Sequence, residues 1–409
     1  MMTFKQSKIA YAHIDCNSFF VSCEVFRNPA LKGKFVCVWD QISIACSYEA
    51  KKYWIKTWTP IWEAERILWN RLIKILPDHS FYTQMSNKLM SYMRWLVWWV
   101  EVFSIDEFFA DLTDIWDKET QWDYSILAEK IKADIYKNVG LPVSVWISNT
   151  RIKAKIFSDI NKPYWSFVSF NKENTENLFK KLPVRDIPYI AKWNSEKLGL
   201  WIKTVYDFYT MEGMKVREIL WKPWLTLWLE LHGVDVWKGN DTARKRKSLV
   251  CSRSFNHDMT TQYSRLWRHL LENLERAYFT LITEKQEVRT IWIFLKDEEF
   301  QIYSLTKDLW IHTIDRAIIT NGIRDLFDSL FQAGIIYRTT GIEFFELQPY
   351  TPKQISLFDI TNKKHTLNEK VSEVILWLKR RYWDQIIHTW FKNIHKEKRE
   401  ELEILYEVS

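Results

Sequence analysis

The chain has 409 residues, 47% hydrophobic and 27% charged, so it can bury substantial cores and is not an intrinsically disordered protein. Its net charge of +7 says little alone, because mildly basic proteins are common. Its apolar runs fall far short of the roughly 20 residues that a membrane span needs, and we see no secretion signal, so we expect a cytoplasmic protein without membrane contacts. The five cysteines contain no CxxC pair, which argues against a disulfide framework or a zinc site.

The first 165 residues predict mixed strands and helices in an α+β order. The predicted strands are 8–15, 34–39, 100–105 and 143–147, and a strand-to-helix turn is predicted at 43–54. The predicted helices are 16–27, 85–97, 124–138 and 150–161. The strand at 100–105 is expected to run on through Asp106 and Glu107 into the segment FFADL.

The rest of the chain predicts a helical region, a linker and a second domain. Residues 174–232 have short helical segments, and residues 234–248 are polar and basic. Their run from Arg244 to Lys247 is either a solvated linker or a contact for a polyanion. A separate α+β domain follows, with helices at 262–283 and 314–333 and strands at 288–296, 301–305 and 341–347. The last 40 or so residues predict a charged helical tail.

Tryptophan and glycine are used abnormally, with 24 Trp and only 9 Gly, whereas glycine usually makes up about 7% of a chain. Six of the tryptophans stand where turns are predicted, at Trp54, Trp58, Trp165, Trp201, Trp221 and Trp224. Such turns favour glycine, because it adopts positive φ without strain. We therefore hypothesise that many of these residues are glycine in the living organism, through a UGA codon read as glycine. The alternative is a genuinely Trp-rich, base-stacking protein.

Three acidic residues stand at predicted strands: Asp15, Asp106 and Glu107. Carboxylates in apolar strands are costly unless they are paired or bind a cation, and Mg²⁺ prefers such hard oxygen ligands. Two such ions about 4 Å apart can activate a 3′-hydroxyl and stabilise a leaving pyrophosphate. On their own, however, these residues are better explained as structural or surface acids.

Four sequence segments change that judgement. They are HIDCNSFFVSCE at 13–24, SYEAKKYWIKTWTPI at 47–61, VEVFSIDEFFADLT at 100–113 and VSVWISNTRIKAKIFSDINKPYW at 143–165. In order and spacing they resemble four motifs of the Y-family (DinB/UmuC-type) DNA polymerases, and the resemblance extends over about residues 8–360. It implies a template-directed DNA polymerase of the lesion-bypass type, which extends primed DNA with dNTPs during DNA damage tolerance.

The resemblance also implies roles for particular residues. It assigns two Mg²⁺ ions to the carboxylates of Asp15, Asp106 and Glu107 and to the backbone carbonyl of Cys16. It assigns the incoming nucleotide to Phe20, Tyr48, Lys51 and Lys162. Among these, Phe20 matches the aromatic steric gate that excludes a ribose 2′-hydroxyl. Lys51 departs from the arginine of many relatives, so a bidentate contact becomes a point charge.

The implied architecture is an α+β right hand. Its domains are a palm at 1–28 and 79–165, fingers at 29–78, a helical thumb at 166–233, a basic linker at 234–248, a little finger at 249–350 and a tail at 351–409. Within the thumb, residues 182–208 resemble a helix-hairpin-helix, with Lys192 as a DNA contact, although Tyr189 and Ala191 stand where glycines are usual. In the little finger, Ser252, Arg253 and Ser254 are candidate phosphate contacts.

The segment Gln354-Ile355-Ser356-Leu357-Phe358 resembles a peptide that docks on the sliding clamp, with Gln354, Leu357 and Phe358 as anchors. Accessory subunits are a further expected partner. The strongest rival is a non-catalytic DNA- and clamp-binding protein on a degenerate polymerase fold, although the three acidic residues argue against it. A nucleotide cyclase with a similar palm is a third option, and the thumb-like segment and clamp-like peptide argue against that.

Overall fold

The computed structural model describes residues 9–40, 42–113, 115, 123–160, 162–190, 198, 201–236, 246–255 and 258–350. Contacts between residues divide the chain into two units, Met1–Gly239 and Asn240–Ser409, and the division falls inside the basic segment 234–248. Across the described residues, no helix is both long and apolar enough to cross a membrane.

The first unit contains eight named strands among its described residues. They are β1 (Tyr11–Cys16), β2 (Phe35–Asp40), β3 (Ile42–Cys46), β4 (Leu72–Ile75), β5 (Val100–Val102), β6 (Glu107–Asp111), β7 (Val143–Ser148) and β8 (Ser166–Ser169). Its α-helices are α1 (Phe19–Arg27), α2 (Tyr48–Lys51), α3 (Ile61–Leu68), α4 (His79–Leu96), α5 (Tyr124–Val139), α6 (Arg151–Ile156), α7 (Lys172–Phe179), α8 (Val205–Tyr209) and α9 (Gly213–Leu231). The predicted mixture of strands and helices in this region is therefore confirmed.

Five strands form the main sheet of this unit, in the order β5-β6-β1-β7-β8. The central strand β1 runs antiparallel to both β6 and β7. Side chains alternate across a strand, so Ala12, Ile14 and Cys16 enter the core that α1, α4 and α5 cover. The same alternation places His13 and Asp15 on the opposite face of the sheet.

The predicted strand at 100–105 is wrong in one respect. β5 ends at Val102, and the chain turns before β6 begins at Glu107, so that β5 and β6 pair as an antiparallel hairpin. The amides of Phe103 and Ser104 both donate to the Glu107 carbonyl, at 3.0 Å each, which closes the turn. Asp106 therefore lies in a turn rather than inside a continuous strand.

A second, smaller sheet of the first unit has the order β3-β2-β4. β2 pairs antiparallel with β3 and parallel with β4. Its own small core includes Cys37, Cys46, Ala50 and Leu68. The side chain of Ser47 accepts from the amide of Ala50 at 3.2 Å and so caps the short helix α2 directly after β3.

The helices after β8 pack around Phe157, Phe179, Phe208 and Leu231. The expectation of turns around Lys222 and Pro223 is wrong, because α9 runs unbroken from Gly213 to Leu231 through both flanking tryptophans. The other tryptophan turns are a separate matter, described below.

The second unit is a four-stranded antiparallel sheet with helices against it. Its elements are β9 (Ser248–Ser254), α10 (Tyr263–Thr283), β10 (Gln286–Asp297), β11 (Ile302–Thr313), α11 (Arg316–Leu330), β12 (Tyr337–Phe345) and β13 (Gln348–Pro349). The strand order is β11-β10-β12-β9, which places β9 at an edge. Apolar residues of α10 and α11 pack with those of the sheet in one core, as the predicted second α+β domain requires.

The backbone at several tryptophans has the conformation that favours glycine. Trp54 and Trp58 have φ of 67° and 75°, as the turn prediction at these two residues requires, and Trp69 and Trp310 also have positive φ. All four side chains are at least 75% exposed. Trp165, in contrast, lies outside the positive-φ region. Trp146 is fully buried, and its indole N–H has no hydrogen-bond partner among the described residues.

Candidate active site

The three candidate acids meet where β1 and β6 run side by side. Asp15 and Glu107 are direct partners in the antiparallel register. The amide of Cys16 donates to the carbonyl of Asp106 at 2.9 Å, which ties the end of β1 to the turn before β6. The backbone therefore brings the predicted acids together although Asp15 and Asp106 are far apart in sequence.

Asp15 is a largely buried carboxylate beside a cation. The Nζ of Lys162 donates to its Oδ2 at 3.0 Å. Burial raises the pKa of Asp15 to about 6; Lys162 opposes this rise, and the charges of Asp106 and Glu107 add to it. Asp15 is therefore protonated more easily than an exposed aspartate, chiefly because its carboxylate is buried.

Glu107 has two partners of its own. Its Oε2 accepts from Lys155 Nζ at 2.8 Å and lies 3.1 Å from His13 Nε2. Burial favours the neutral acid, but the hydrogen bonds from His13 and Lys155 outweigh it and lower the pKa of Glu107 to about 2. Burial lowers the pKa of His13 to about 4, so its imidazole is neutral at pH 7 and donates through Nε2.

Sequence reasoning missed His13 and Lys155 as parts of the site. A signal for His13 was present, because a residue two positions before Asp15 in a strand lies on the same face of the sheet. Lys155 lies in α6, and nothing in the sequence alone indicates that this helix reaches Glu107.

A pocket of about 330 Å³ opens beside the acids. Its lining includes six of the predicted site residues and the backbone-ligand candidate, namely Asp15, Cys16, Phe20, Tyr48, Lys51, Asp106 and Lys162. Glu107 does not line it, since its carboxylate is turned towards Lys155 and His13. The structure thus gathers the predicted nucleotide residues around one cavity and places Glu107 just behind it.

One of the two cationic side chains that line this pocket, Lys51, comes from α2. Lys51 donates to the hydroxyl of Ser18 at 2.9 Å, and its ammonium lies 4.4 Å from the ring centroid of Tyr48. Burial lowers the pKa of Lys51. Two ammonium groups, Lys51 and Lys162, therefore line a cavity that also contains carboxylates, an arrangement suited to a ligand that carries both phosphates and cations.

Phe20 forms another part of the lining and has a fixed orientation. Its ring stacks on Tyr82 with centroids 4.5 Å apart and an interplanar angle of 18°. The hydroxyl of Tyr82 in turn donates to Glu24 Oε1 at 2.8 Å in the buried core. Phe20 is thus held by α4 as a flat apolar surface at the pocket.

Divalent metal ions fit the donor chemistry of this site. Within the described residues, no three His, Cys, Asp or Glu side chains are close enough together to form a ready metal cage. The reason is visible in the partners: Lys162 holds Asp15, Ser104 donates to Asp106, and Lys155 holds Glu107. Burial is the main cause of the raised pKa of Asp15, and the charges of Asp106 and Glu107 add to it, so a hard cation bound beside these carboxylates would favour their ionised forms.

The candidate DNA contacts of the second unit lie on the edge strand β9. Ser252, Arg253 and Ser254 are all exposed. Arg253 pairs with Glu272 at 3.1 Å, and the hydroxyl of Ser254 lies 2.8 Å from that of Thr339. The remaining candidates, Lys192 and the clamp-like anchors Gln354, Leu357 and Phe358, lie outside the described residues.

The antiparallel strands β1 and β6 and the turn before β6 bring three acids together next to a pocket that is lined by lysines and an aromatic ring. This arrangement suits enzymes that transfer nucleotidyl groups on a palm-like sheet.

Comparison with known proteins narrows this class to one family. Residues 14–159 match the impB/mucB/samB family, and residues 246–357 match the C-terminal domain of that family. The chain is 28% identical over 381 residues to the protein UmuC of Salmonella typhimurium, with 89% of each chain covered. It is 29% identical over 361 residues to DNA polymerase IV of Clostridioides difficile, covering 85% of this chain and 96% of that one.

A solved structure gives the same result for the fold. A Y-family DNA polymerase chimera of Dbh and Dpo4 is similar with a TM-score of 0.66 and 23% identity, over 83% of this chain and 99% of the other. The chain belongs to the impB/mucB/samB family and is a Y-family DNA polymerase of the DinB/UmuC type with the right-hand fold. Polymerases of this family use divalent metal ions.

Proposed function

We propose that the chain extends a DNA primer opposite damaged template bases, and that Asp15, Asp106 and Glu107 hold two Mg²⁺ ions for this reaction with the carbonyl of Cys16. The observation that carries the proposal is the single pocket that joins Asp15 and Asp106 to Lys51, Lys162 and Phe20. When bound, the ions neutralise the phosphates and lower the pKa of the attacking 3′-hydroxyl.

The triphosphate of the incoming dNTP is bound by the cations of the pocket. In this structure the ammonium of Lys162 donates to Asp15 at 3.0 Å. Phosphate oxygens of the nucleotide are an alternative acceptor for the same ammonium. Lys51 and Tyr48 present a charge and a phenol from α2. Because these groups bind only phosphates, they accept any of the four bases, as template-directed synthesis requires.

Glu107 is kept as a carboxylate by its own partners. Lys155 and His13 hold it ionised throughout the physiological pH range, since its pKa is about 2. In this proposal His13 and Lys155 are positioning residues, which act through Glu107 rather than on the substrate. The ring of Phe20 stacks on the deoxyribose and leaves no space for a 2′-hydroxyl.

The remaining parts of the chain hold the DNA. We assign the palm to 1–28 and 79–165, the fingers to 29–78, the thumb to 166–233, the linker to 234–248, the little finger to 249–350 and the tail to 351–409.

Exposed β9, with Ser252, Arg253 and Ser254, contacts phosphates without reading sequence, and Lys192 of the thumb does the same. Gln354, Leu357 and Phe358 dock on the sliding clamp, and accessory subunits support the enzyme.

Primer extension tests this proposal directly. The purified chain with Mg²⁺ is given primed templates, one undamaged and one with an abasic site, and we expect extension on both. Binding of the primed DNA without extension on either template would favour the rival, a non-catalytic DNA-binding protein on the same fold.

A further inference from the structure

We propose that Cys37 and Cys46 are a redox-sensitive dithiol that closes to a cross-strand disulfide in the presence of a peroxide, and that closure weakens nucleotide binding in the adjoining pocket. The first half concerns only the small sheet of the first unit. The second half rests on the proposed function of the pocket.

The backbone holds the two cysteines in a position that a disulfide can bridge. Cys37 of β2 and Cys46 of β3 are direct partners in the antiparallel register. The amide of Ser47 donates to the carbonyl of Val36 at 2.9 Å, so the hydrogen bond lies beside the pair and not within it. Cysteines at such a non-hydrogen-bonded pair have Cα atoms about 4.5 Å apart, inside the range of about 4.4–6.8 Å that disulfides span.

The chemistry of the two thiols is asymmetric. Both side chains are fully buried, and the Sγ of Cys46 lies 2.7 Å from the hydroxyl of Ser43. Hydrogen bonding from Cys37 lowers the pKa of Cys46 against the opposing effect of burial, and Ser43 and Lys51 lower it further. The pKa of Cys37 is raised by the same hydrogen bond. Cys46 is therefore the more reactive thiol, and Cys37 is the resolving one.

The reaction balances with hydrogen peroxide as the oxidant. The Cys46 thiolate attacks one peroxide oxygen, the O–O bond breaks, and the departing hydroxide takes up a proton as water. The resulting sulfenic acid is attacked by the sulfur of Cys37, which forms the S–S bond and releases a second water. Two thiols and one peroxide thus give one disulfide and two waters.

The position of the pair connects it to the nucleotide site. Cys46 belongs to the pocket lining, although its side chain is closed to water in this structure, so a small oxidant reaches the sulfur when this wall of the pocket opens locally. The next residue, Ser47, caps the helix that carries Tyr48 and Lys51. Closing the disulfide removes the Cys46 thiol from Ser43 and fixes the Cys46 side chain towards Cys37. This changes the pocket lining directly before the helix that carries the phosphate-binding side chains.

The other three cysteines lack this arrangement. Cys16 and Cys23 are buried with raised pKa values, and they lie on β1 and α1 rather than at partner positions of two paired strands. Cys251 belongs to the second unit, where it is the sole cysteine of the sequence. Oxidation is therefore expected to be selective for the pair in the small sheet.

The test uses the full chain treated with hydrogen peroxide, then alkylated and mapped by mass spectrometry. We expect a Cys37–Cys46 cross-link that dithiothreitol reverses, while the other cysteines remain alkylated as thiols. A cross-link absent under conditions that oxidise Cys251 would overturn the proposal. Because this readout uses the unaltered protein, it does not depend on whether any variant folds.

The regulatory half is tested by steady-state primer extension before and after oxidation. We expect the KM for dNTP to rise several-fold on oxidation and to recover with dithiothreitol, and we expect no such rise in Cys37→Ser. A cross-linked enzyme with an unchanged KM would contradict the regulatory half. Absence of extension by the fully reduced protein would instead count against the proposed function, and the mapping result would stand apart from it.

Discussion

Asp15 and Glu107 are direct partners on adjacent strands, yet the pKa of one is raised to about 6 and that of the other is lowered to about 2. Their sequence separation gives no hint of this difference, which arises from their surroundings. Glu107 has both Lys155 and His13 as hydrogen-bond donors, whereas Asp15 has Lys162 and stronger burial. The pair therefore includes one acid that is ionised throughout the physiological pH range and one whose pKa of about 6 lies much closer to neutral pH.

The pocket lysines are expected to act mainly on nucleotide binding. Lys162→Met removes a charged donor to the phosphates, which is worth about 1.5–3 kcal/mol, so the KM for dNTP should rise roughly 10- to 150-fold. Steady-state primer extension measures this. Lys74→Met, at a lysine paired with Glu65 on the surface, is the matched control and should leave the KM unchanged. Equal effects of the two substitutions would show that Lys162 does not touch the substrate.

Phe20 is expected to control sugar selection. In Phe20→Ala the stacked ring over Tyr82 is lost, so a ribonucleotide should enter the pocket and the preference for dNTP over rNTP should fall at least about tenfold. Single-nucleotide incorporation with each type of nucleotide measures the ratio. Phe26→Ala, on the same helix and 45% exposed, provides the comparison. An unchanged ratio in Phe20→Ala would show that Phe20 does not act as the steric gate.

The tryptophan hypothesis makes a prediction about stability. Trp54→Gly and Trp58→Gly remove side chains from backbone with positive φ, so each should raise the free energy of unfolding by about 1 kcal/mol. Trp62→Gly is the matched control, because Trp62 is similarly exposed but lies inside helix α3, where glycine should lower that free energy by about 0.5 kcal/mol. Thermal denaturation measures all three variants, and a lowered Tm for both Trp54→Gly and Trp58→Gly would contradict the hypothesis.

The codon hypothesis itself has a separate and direct check. Peptide mass spectrometry of protein from the source organism should find glycine at Trp54, Trp58 and Trp69. Tryptophan in those peptides, or UGG codons in the gene, would establish a genuinely Trp-rich protein instead.

Lys153 gives a prediction about pH. Burial lowers its pKa to about 8 from the usual 10.5. Between these two values the unfolded chain binds more protons than the folded one, so stability should rise with pH across that window. Lys153→Met should abolish this rise and be more stable than the parent at pH 7. Urea unfolding at pH 7 and pH 9.5 measures the difference in the free energy of unfolding between this variant and the parent, which should shrink as pH rises. A difference independent of pH would show that Lys153 is not buried as a charge.

The sequence predicted the elements of the fold well where hydrophobic periodicity was strong. Helices α5 and α10 begin and end within two residues of their predicted bounds. It failed at the hairpin around Asp106, because the apolar residues Phe103 and Ile105 look like the continuation of strand β5 although they lie exposed in the turn before β6. It failed again at α9, where Pro223 and its neighbouring tryptophans indicate a turn and yet the helix continues.

The residues of the site were likewise predicted only in part. Motif resemblance supplied Asp15, Phe20, Lys51 and Lys162, which the structure brings to one pocket. It did not supply Lys155 as a partner of Glu107, because that contact depends on how α6 packs against the sheet. The dithiol of Cys37 and Cys46 was equally invisible, since their pairing depends on the register of β2 and β3.

The most direct measurement is primer extension with Mg²⁺ by the parent chain, by Asp106→Ala and by Asp111→Ala. Asp111 is the control: it is the last residue of β6, and its carboxylate accepts from the amide of Thr113 at 2.8 Å, outside the pocket lining. We predict that Asp106→Ala loses at least about 100-fold in kcat while it still folds and binds primed DNA, and that Asp111→Ala extends primers like the parent. Undiminished extension by a folded Asp106→Ala would contradict the assignment of this site as the centre of catalysis.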